Sequence, residues 1–101
     1  MNNWKIINVI PSTKKNKKYT AILSNNTEID FGLDGSSTYL DHKDKTKREN
    51  YWKRHYVGRE KDLLDTLTPS PALFSLLLLW GKSSNLEENI KLLNELIEED
   101  K

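Results

Sequence analysis

The segment from His42 to Glu60 holds the densest set of side chains that could do chemistry in this 101-residue chain. It combines imidazole, guanidinium, carboxylate, indole and phenol groups. At the 100° per residue of an α-helix, these residues separate onto two faces. The first face is aromatic yet ionisable, and with the preceding His42 it comprises Asp44, Arg48, Tyr51, Trp52, His55 and Arg59. The second face is basic and polar and comprises Lys43, Thr46, Lys47, Asn50, Lys53 and Arg54.

The aromatic face is interpreted first as an internal network. Arg48 and His55 can be buried only with partners, because burying an unpaired charge is costly. Asp41, Asp44 and Glu60 are the acidic residues close enough along the chain to serve. We therefore expect carboxylates or backbone carbonyls to hold the guanidinium, whose plane would rest on an aromatic ring.

The basic face supports a second interpretation, which is nucleic-acid binding. Four cations could neutralise phosphates there while an aromatic side chain, Trp52 or Tyr56, stacks on a base. Acidic neighbours such as Glu49 dilute the positive field of this face, which favours a solvated helix surface instead. The candidate phosphate contacts are Lys43, Lys47, Lys53 and Arg54.

Catalytic and metal sites are not favoured by the spacing. His42, Asp44 and His55 have the right ligand types for zinc, but two helical ligands need i, i+4 spacing and the histidines are thirteen residues apart. No serine lies in a nucleophile-elbow motif, and the Gly-rich residues 32–35 match no phosphate-binding fingerprint. The sequence therefore predicts a non-enzymatic protein with no metal and no cofactor.

The elements that position this segment indicate an α+β fold. Alternating apolar residues predict strands at 4–10, 19–23 and 27–31, with a turn at Asn25-Asn26. We predict a short N-terminal antiparallel β-meander of two or three strands, followed by three or four helices. The chain is expected to form one domain over residues 1–101, in which residues 1–33 form the β part and residues 34–101 the helical part.

Capping signals delimit the predicted helices. The first runs from about Asp44 to Tyr56, with Gly58 as its stop, and a shorter helical stretch follows over 59–67. Ser70 caps the next helix, over 71–80, which ends at Gly81. A capping box beginning at Ser84 opens the last helix. The predicted core comprises Phe74, Leu77, Leu78, Trp80, Leu86, Ile90, Leu93 and Ile97 with Ile29, Phe31 and Trp52.

Charge and composition limit the classes of partner. The net charge is +1, but residues 1–60 carry twelve Lys or Arg against seven Asp or Glu, and residues 61–101 carry four against eight. This asymmetry suits assembly with oppositely charged partners. With no cysteine and no secretion signal, an intracellular protein is expected. The longest apolar run, 72–80, is too short to cross a membrane, which takes roughly 20 residues.

Residues 31–84 contain a distinctive order and spacing of aromatic, glycine and ionisable residues. These residues are Phe31, Gly32, Gly35, Tyr39, His42, Lys43, Asp44, Arg48, Tyr51, Arg54, His55, Leu79 and Trp80. In this pattern the chain resembles a family of small uncharacterised proteins encoded by large nucleocytoplasmic DNA viruses. The resemblance implies a viral setting and no established activity. A structural or interaction protein is then expected, a minor capsid or assembly component that contacts capsid proteins in the virion and, during assembly, in the host cytoplasm.

Overall fold

The computed structural model describes residues 4–56 and 58–99, with the backbone alone for 58–60. A three-stranded sheet precedes five α-helices in the described residues, which confirms the α+β class. The strands are β1 (Ile6–Pro11), β2 (Lys17–Leu23) and β3 (Glu28–Leu33). The helices are α1 (Tyr39–His42), α2 (Lys45–His55), α3 (Gly58–Thr66), α4 (Pro71–Phe74) and α5 (Leu86–Glu99), and a π-helical turn (Ser75–Leu79) continues α4.

The sheet is an antiparallel meander in the order β1-β2-β3. Val9, Ala21 and Ile29 lie side by side across its inner face, as the alternating pattern predicts. The predicted turn between β2 and β3 is confirmed, with Asn26 in the left-handed region at φ 67°. A bulge between Ile6 and Asn8 shifts the register of β1, which the sequence does not reveal.

The core lies between the inner face of the sheet and the 71–79 and α5 helices. Phe31 and Phe74 are fully buried and meet edge to face, with ring centroids 5.6 Å apart. Most of the predicted core is confirmed in this cluster, but Trp52 is only half-buried and is not part of it. The sequence prediction missed several core members, among them Trp4, Ile6, Ala21, Leu23, Leu67, Leu73 and Leu79.

The N-terminal segment is held to the far end of the chain. Trp4 precedes β1 and donates its Nε1 hydrogen to the carbonyl of Leu67 at 3.2 Å. The amide of Asn94 on α5 bonds both backbone groups of Ile6, accepting at 2.9 Å and donating at 3.0 Å. The Asn94 bonds pair the outer edge of β1 at Ile6 and place this end of the strand against α5.

The 71–80 helix differs from the uniform α-helix that the sequence predicts. Ser70 caps it as expected, with its hydroxyl accepting from the N–H of Leu73. Its second half is π-helical and closes with the bond from Trp80 N–H to the carbonyl of Ser75. The helix ends before Gly81, as predicted, and close packing requires a glycine at this position, because a Cβ there would lie 2.1 Å from the carbonyl oxygen of Leu77.

The start of α5 also departs from the prediction. Asn85, and not Ser84, caps the helix through its side-chain oxygen, which accepts from the N–H of Glu88 at 3.0 Å. One turn later, the buried amide of Asn89 donates to the carbonyls of Leu78 and Ser83 and accepts from the N–H of Ser83. No helix in the described residues is long and apolar enough to cross a membrane.

Candidate functional site

Helix α2 is oriented by a cap at its first residue. Asp44 accepts hydrogen bonds from the backbone N–H groups of Thr46 and Lys47 at 2.9 and 3.2 Å, which satisfies two donors of the first turn. The ring of His42 in turn accepts from the N–H of Asp44 through Nδ1, at 2.9 Å. Lys43 between them adopts φ 56° and ends α1. His42 and Asp44 therefore set the direction of α2.

Arg48 holds α2 to the loop that follows the π turn. Its Nε donates to the carbonyl of Gly81 at 2.6 Å. Its guanidinium carbon lies 5.8 Å from the ring centroid of Tyr39 and 5.6 Å from that of Trp52, within the range of cation–π attraction. The expected internal contacts are present for this residue, although its partner among the described residues is a backbone carbonyl instead of a carboxylate.

The expected carboxylate partners have other roles. Asp41 caps α1 by accepting from the backbone N–H of Thr38 at 2.8 Å, and it pairs with Lys18 at 3.4 Å. These interactions, the Thr38 bond first, lower the pKa of Asp41 below its ordinary value. The side chains of Arg59 and Glu60, which the sequence placed in the same network, lie outside the described residues.

Three rings form a continuous stack across the interface between α2 and the π turn. Trp80 and Tyr51 are parallel within 4°, with centroids 4.3 Å apart, and Tyr51 and His55 follow at 4.1 Å and 23°. Two rings cannot both lie on the same face of Tyr51 at these distances, so Trp80 covers one face of Tyr51 and His55 covers the other. The stack ends at the face of His55 that points away from Tyr51. His42 also contacts Trp80, with ring centroids 5.2 Å apart and planes tilted by 53°. We refer to the stack of Trp80, Tyr51 and His55 as the aromatic column.

Trp52 is also fixed by a backbone contact. Its Nε1 donates to the carbonyl of Trp80 at 2.7 Å, and its ring lies 5.9 Å from that of Tyr56. All six predicted aromatic-face residues whose side chains are described are half-buried, and the residues of the basic face are exposed, so the structure places the two faces as the helical spacing predicts. The half-buried residues are His42, Asp44, Arg48, Tyr51, Trp52 and His55.

The aromatic column forms one wall of a cleft of about 570 Å³. The opposite walls come from the β1–β2 turn and from the loop after β3, and the 71–80 helix forms the floor. This volume falls within the range of small-molecule sites in proteins. Its polar lining comprises Asn16, Lys17, Ser36, Ser37, Thr38, Arg54, His55 and Ser75. We call this space the aromatic cleft.

The charges that line the aromatic cleft are of one sign. Lys17 and Arg54 contribute exposed cationic side chains, and no carboxylate belongs to the lining that the structure describes. The neighbouring Asp41 is already paired with Lys18. A site with cations beside aromatic rings suits an anionic ligand that carries a planar group.

A shallow depression extends the aromatic cleft along the basic face of α2. Lys47, Asn50, Lys53, Arg54 and Trp80 line it, and the last two of these also line the cleft. Three of the four predicted phosphate contacts thus share one surface. Lys43, the fourth, is exposed at the end of α1 and belongs to neither lining.

The histidines considered as metal ligands do not converge. Trp80 and Tyr51 lie between the rings of His42 and His55 along the stack. Within residues 4–56 and 58–99, no group of three His, Cys, Asp or Glu side chains is arranged to hold a metal ion.

Several residues that line the cleft are not singled out as site residues by the sequence, among them Lys17 and Trp80. Lys17 lies outside the predicted strand at 19–23, yet it begins β2 and lines the cleft. Trp80 is predicted as a core residue. The sequence offers two signals for it, which are its position directly before Gly81, where a helix is expected to end, and its place among the residues that carry the resemblance.

Comparison with known proteins finds a family match over part of the chain and no activity. Residues 7–55 match a family of unknown function, DUF5754. The matched segment covers the sheet, α1 and α2, and so includes Lys17, Tyr51, Arg54 and His55 but not the 71–80 floor of the cleft. No curated protein and no solved structure matches the chain.

Proposed function

We propose that the protein is a non-enzymatic binding protein that holds a single strand of nucleic acid in the aromatic cleft. The observation that carries the proposal is the aromatic column beside Lys17 and Arg54 in one cleft. Proteins that bind single strands combine a cationic groove with aromatic rings in this way, because rings accept any base and cations follow the backbone.

In the proposed complex each part of the cleft has its own role. Since both faces of Tyr51 are covered, a base stacks on the outward face of His55 and contacts the edges of the other two rings. The backbone phosphates lie against Lys17 and Arg54. The strand leaves over Lys47 and Lys53, which line the adjoining depression. A duplex has its bases already stacked and does not gain this contact, so a preference for single strands is expected.

A salt series tests the proposal. A fluorescently labelled oligothymidylate is titrated with the protein at several NaCl concentrations, and anisotropy gives the affinity. Two to four phosphate contacts predict a slope of log affinity on log salt between about −1.4 and about −2.8. Lys17→Ala and Arg54→Ala should each make the slope shallower by about 0.7.

The matched control is Lys91→Ala, which removes an exposed cation from α5, away from the cleft. It should leave both affinity and slope unchanged. Absence of binding at low salt, or equal losses in all three variants, would reject the cleft as the binding site.

A structural protein of a large DNA virus is the second candidate function, and the sequence resemblance is its main support. In this role the protein contacts capsid or other virion proteins. The exposed side chains of Ile7 and Ile10, 60% and 38% accessible, favour contacts of this kind. Mass spectrometry of purified virions is the test, and absence of the chain from intact particles would exclude the role.

A further inference from the structure

An apolar groove lies along the last helix. Leu77, Leu92, Leu93 and Leu96 contribute its apolar lining, and it encloses about 330 Å³. Leu96 is 43% exposed and also borders a second depression, lined by Leu64 and Leu67. The two depressions therefore form one strip, which we call the leucine groove.

The rim of the leucine groove is acidic. Glu95 and Glu99 border the first depression with a single cation, Lys82, and Asp65 borders the second. The rest of α5 adds to this negative charge, because it carries three further glutamates, Glu87, Glu88 and Glu98, and a single lysine, Lys91. Such a rim repels nucleic acid and attracts an apolar surface that is flanked by cations.

The chain itself carries a surface of that chemistry. Along β1, Ile6 and Val9 pack inward, so Ile7 and Ile10 project from the opposite face of the sheet. Exposed lysines lie directly before β1 and in the turn that follows it, and one of them, Lys14, pairs with Asp30 of β3 at 3.4 Å. We call this surface the isoleucine face, and its cations are Lys5, Lys14 and Lys15.

We propose that the leucine groove binds the isoleucine face of a second copy of the chain. The two surfaces are complementary in charge and both expose apolar side chains. They cannot meet within one molecule, because the bonds between Asn94 and Ile6 fix β1 beside α5 with its isoleucine face turned outward. Because the contact joins two different surfaces, it generates a ring or a filament when it repeats head to tail, and a closed dimer when two copies exchange it. This association involves neither the aromatic cleft nor its ligand, so it goes beyond the proposed function.

Sedimentation equilibrium of the full chain without nucleic acid tests the association. The wild-type protein should show a mass that rises with concentration. Leu96→Glu and Ile10→Glu each block one of the two surfaces and should each raise the dissociation constant at least about tenfold, since a buried unpaired charge opposes the contact. Leu33→Glu changes an exposed leucine that belongs to neither surface and should associate as the wild type does. Circular dichroism verifies that each variant is folded.

Mixing the two blocked variants is the decisive step. Leu96→Glu keeps its isoleucine face and Ile10→Glu keeps its groove, so an equimolar mixture should form a heterodimer that grows no further. A wild-type protein that stays monomeric at millimolar concentration overturns the proposal. Association that survives in both single variants also overturns the proposal. So does a mixture of the two variants that fails to associate. In either case the copies do not meet through these two surfaces.

Discussion

Tyr51 and Trp80 stack face to face, with ring centroids 4.3 Å apart and planes within 4° of parallel. This contact joins α2 to the residue at which the π turn ends. It therefore serves both the stability of the helix packing and the shape of the aromatic cleft.

Replacing Tyr51 by leucine should weaken both properties. The change removes two stacked pairs, each contributing about 0.5–1.5 kcal/mol beyond its buried area, so the free energy of unfolding should fall by about 1–3 kcal/mol. Tyr51→Phe keeps the ring and should retain more stability than the leucine variant. Urea unfolding measures the difference, and equal stabilities in the two variants would contradict the stacking.

Arg48→Ala should destabilise the fold by about 2 kcal/mol or more, because it removes a charged hydrogen bond and two cation–π contacts. Arg48→Lys should lose less stability than Arg48→Ala, because an ammonium group keeps the positive charge. It should still be less stable than the wild type, because lysine cannot reproduce the Nε bond to the carbonyl of Gly81. Lys47→Ala, an exposed neighbour, should change stability by less than about 0.5 kcal/mol. Thermal melts compare the three variants, and wild-type melting in both Arg48 variants would refute the role of this contact.

Asn89→Leu should be among the costlier substitutions in α5. It leaves the buried carbonyl of Leu78 and the partly buried carbonyl and N–H of Ser83 without their partner, and an unsatisfied buried group costs about 1–3 kcal/mol. Asn50→Leu is the matched control, because that asparagine is exposed on α2. In chemical denaturation, the free energies of unfolding of the two variants should differ by at least about 2 kcal/mol. Similar midpoints for the two variants would count against the hydrogen-bond network of Asn89.

The protein should become less stable at acid pH, because the carboxylate of Asp41 becomes protonated there. Its pKa is lowered in the folded protein, so its contribution is complete above the ordinary value of 3.8 and is lost as the pH falls from there toward the lower folded pKa. Asp41→Asn should be less stable than wild type at neutral pH, and the gap should narrow below pH 3.8. Melting temperatures between neutral and acid pH measure that gap, and a constant gap would exclude the carboxylate as its source.

The strands and the two faces of α2 could be predicted from sequence because each follows a local rule. Alternation fixes which side of a strand is buried, and Asp44 has the chemistry of an N-cap. The Arg48 partner could not be predicted in the same way, because a nearby carboxylate and a distant carbonyl are equally suitable acceptors. The carbonyl of Gly81 is 33 residues away, and only the tertiary packing brings it there.

The π turn and the cleft were beyond sequence reasoning for a related reason. An extra residue in a helical turn leaves no compositional mark in an all-apolar run, so the position of Trp80 against Tyr51 could not be foreseen. Lys17 reaches the cleft only because the β1–β2 turn approaches α2 in three dimensions.

Photo-crosslinking identifies the rings that contact a bound strand. A single-stranded oligonucleotide containing 5-iodouracil is bound at low salt and irradiated, and the attached peptide is identified by mass spectrometry. We expect crosslinks at His55, Tyr51 or Trp80, which line the aromatic cleft. Crosslinks confined to Tyr56 or Tyr19, which lie outside that lining, would contradict binding in this cleft, as would a bound strand that crosslinks to none of the three.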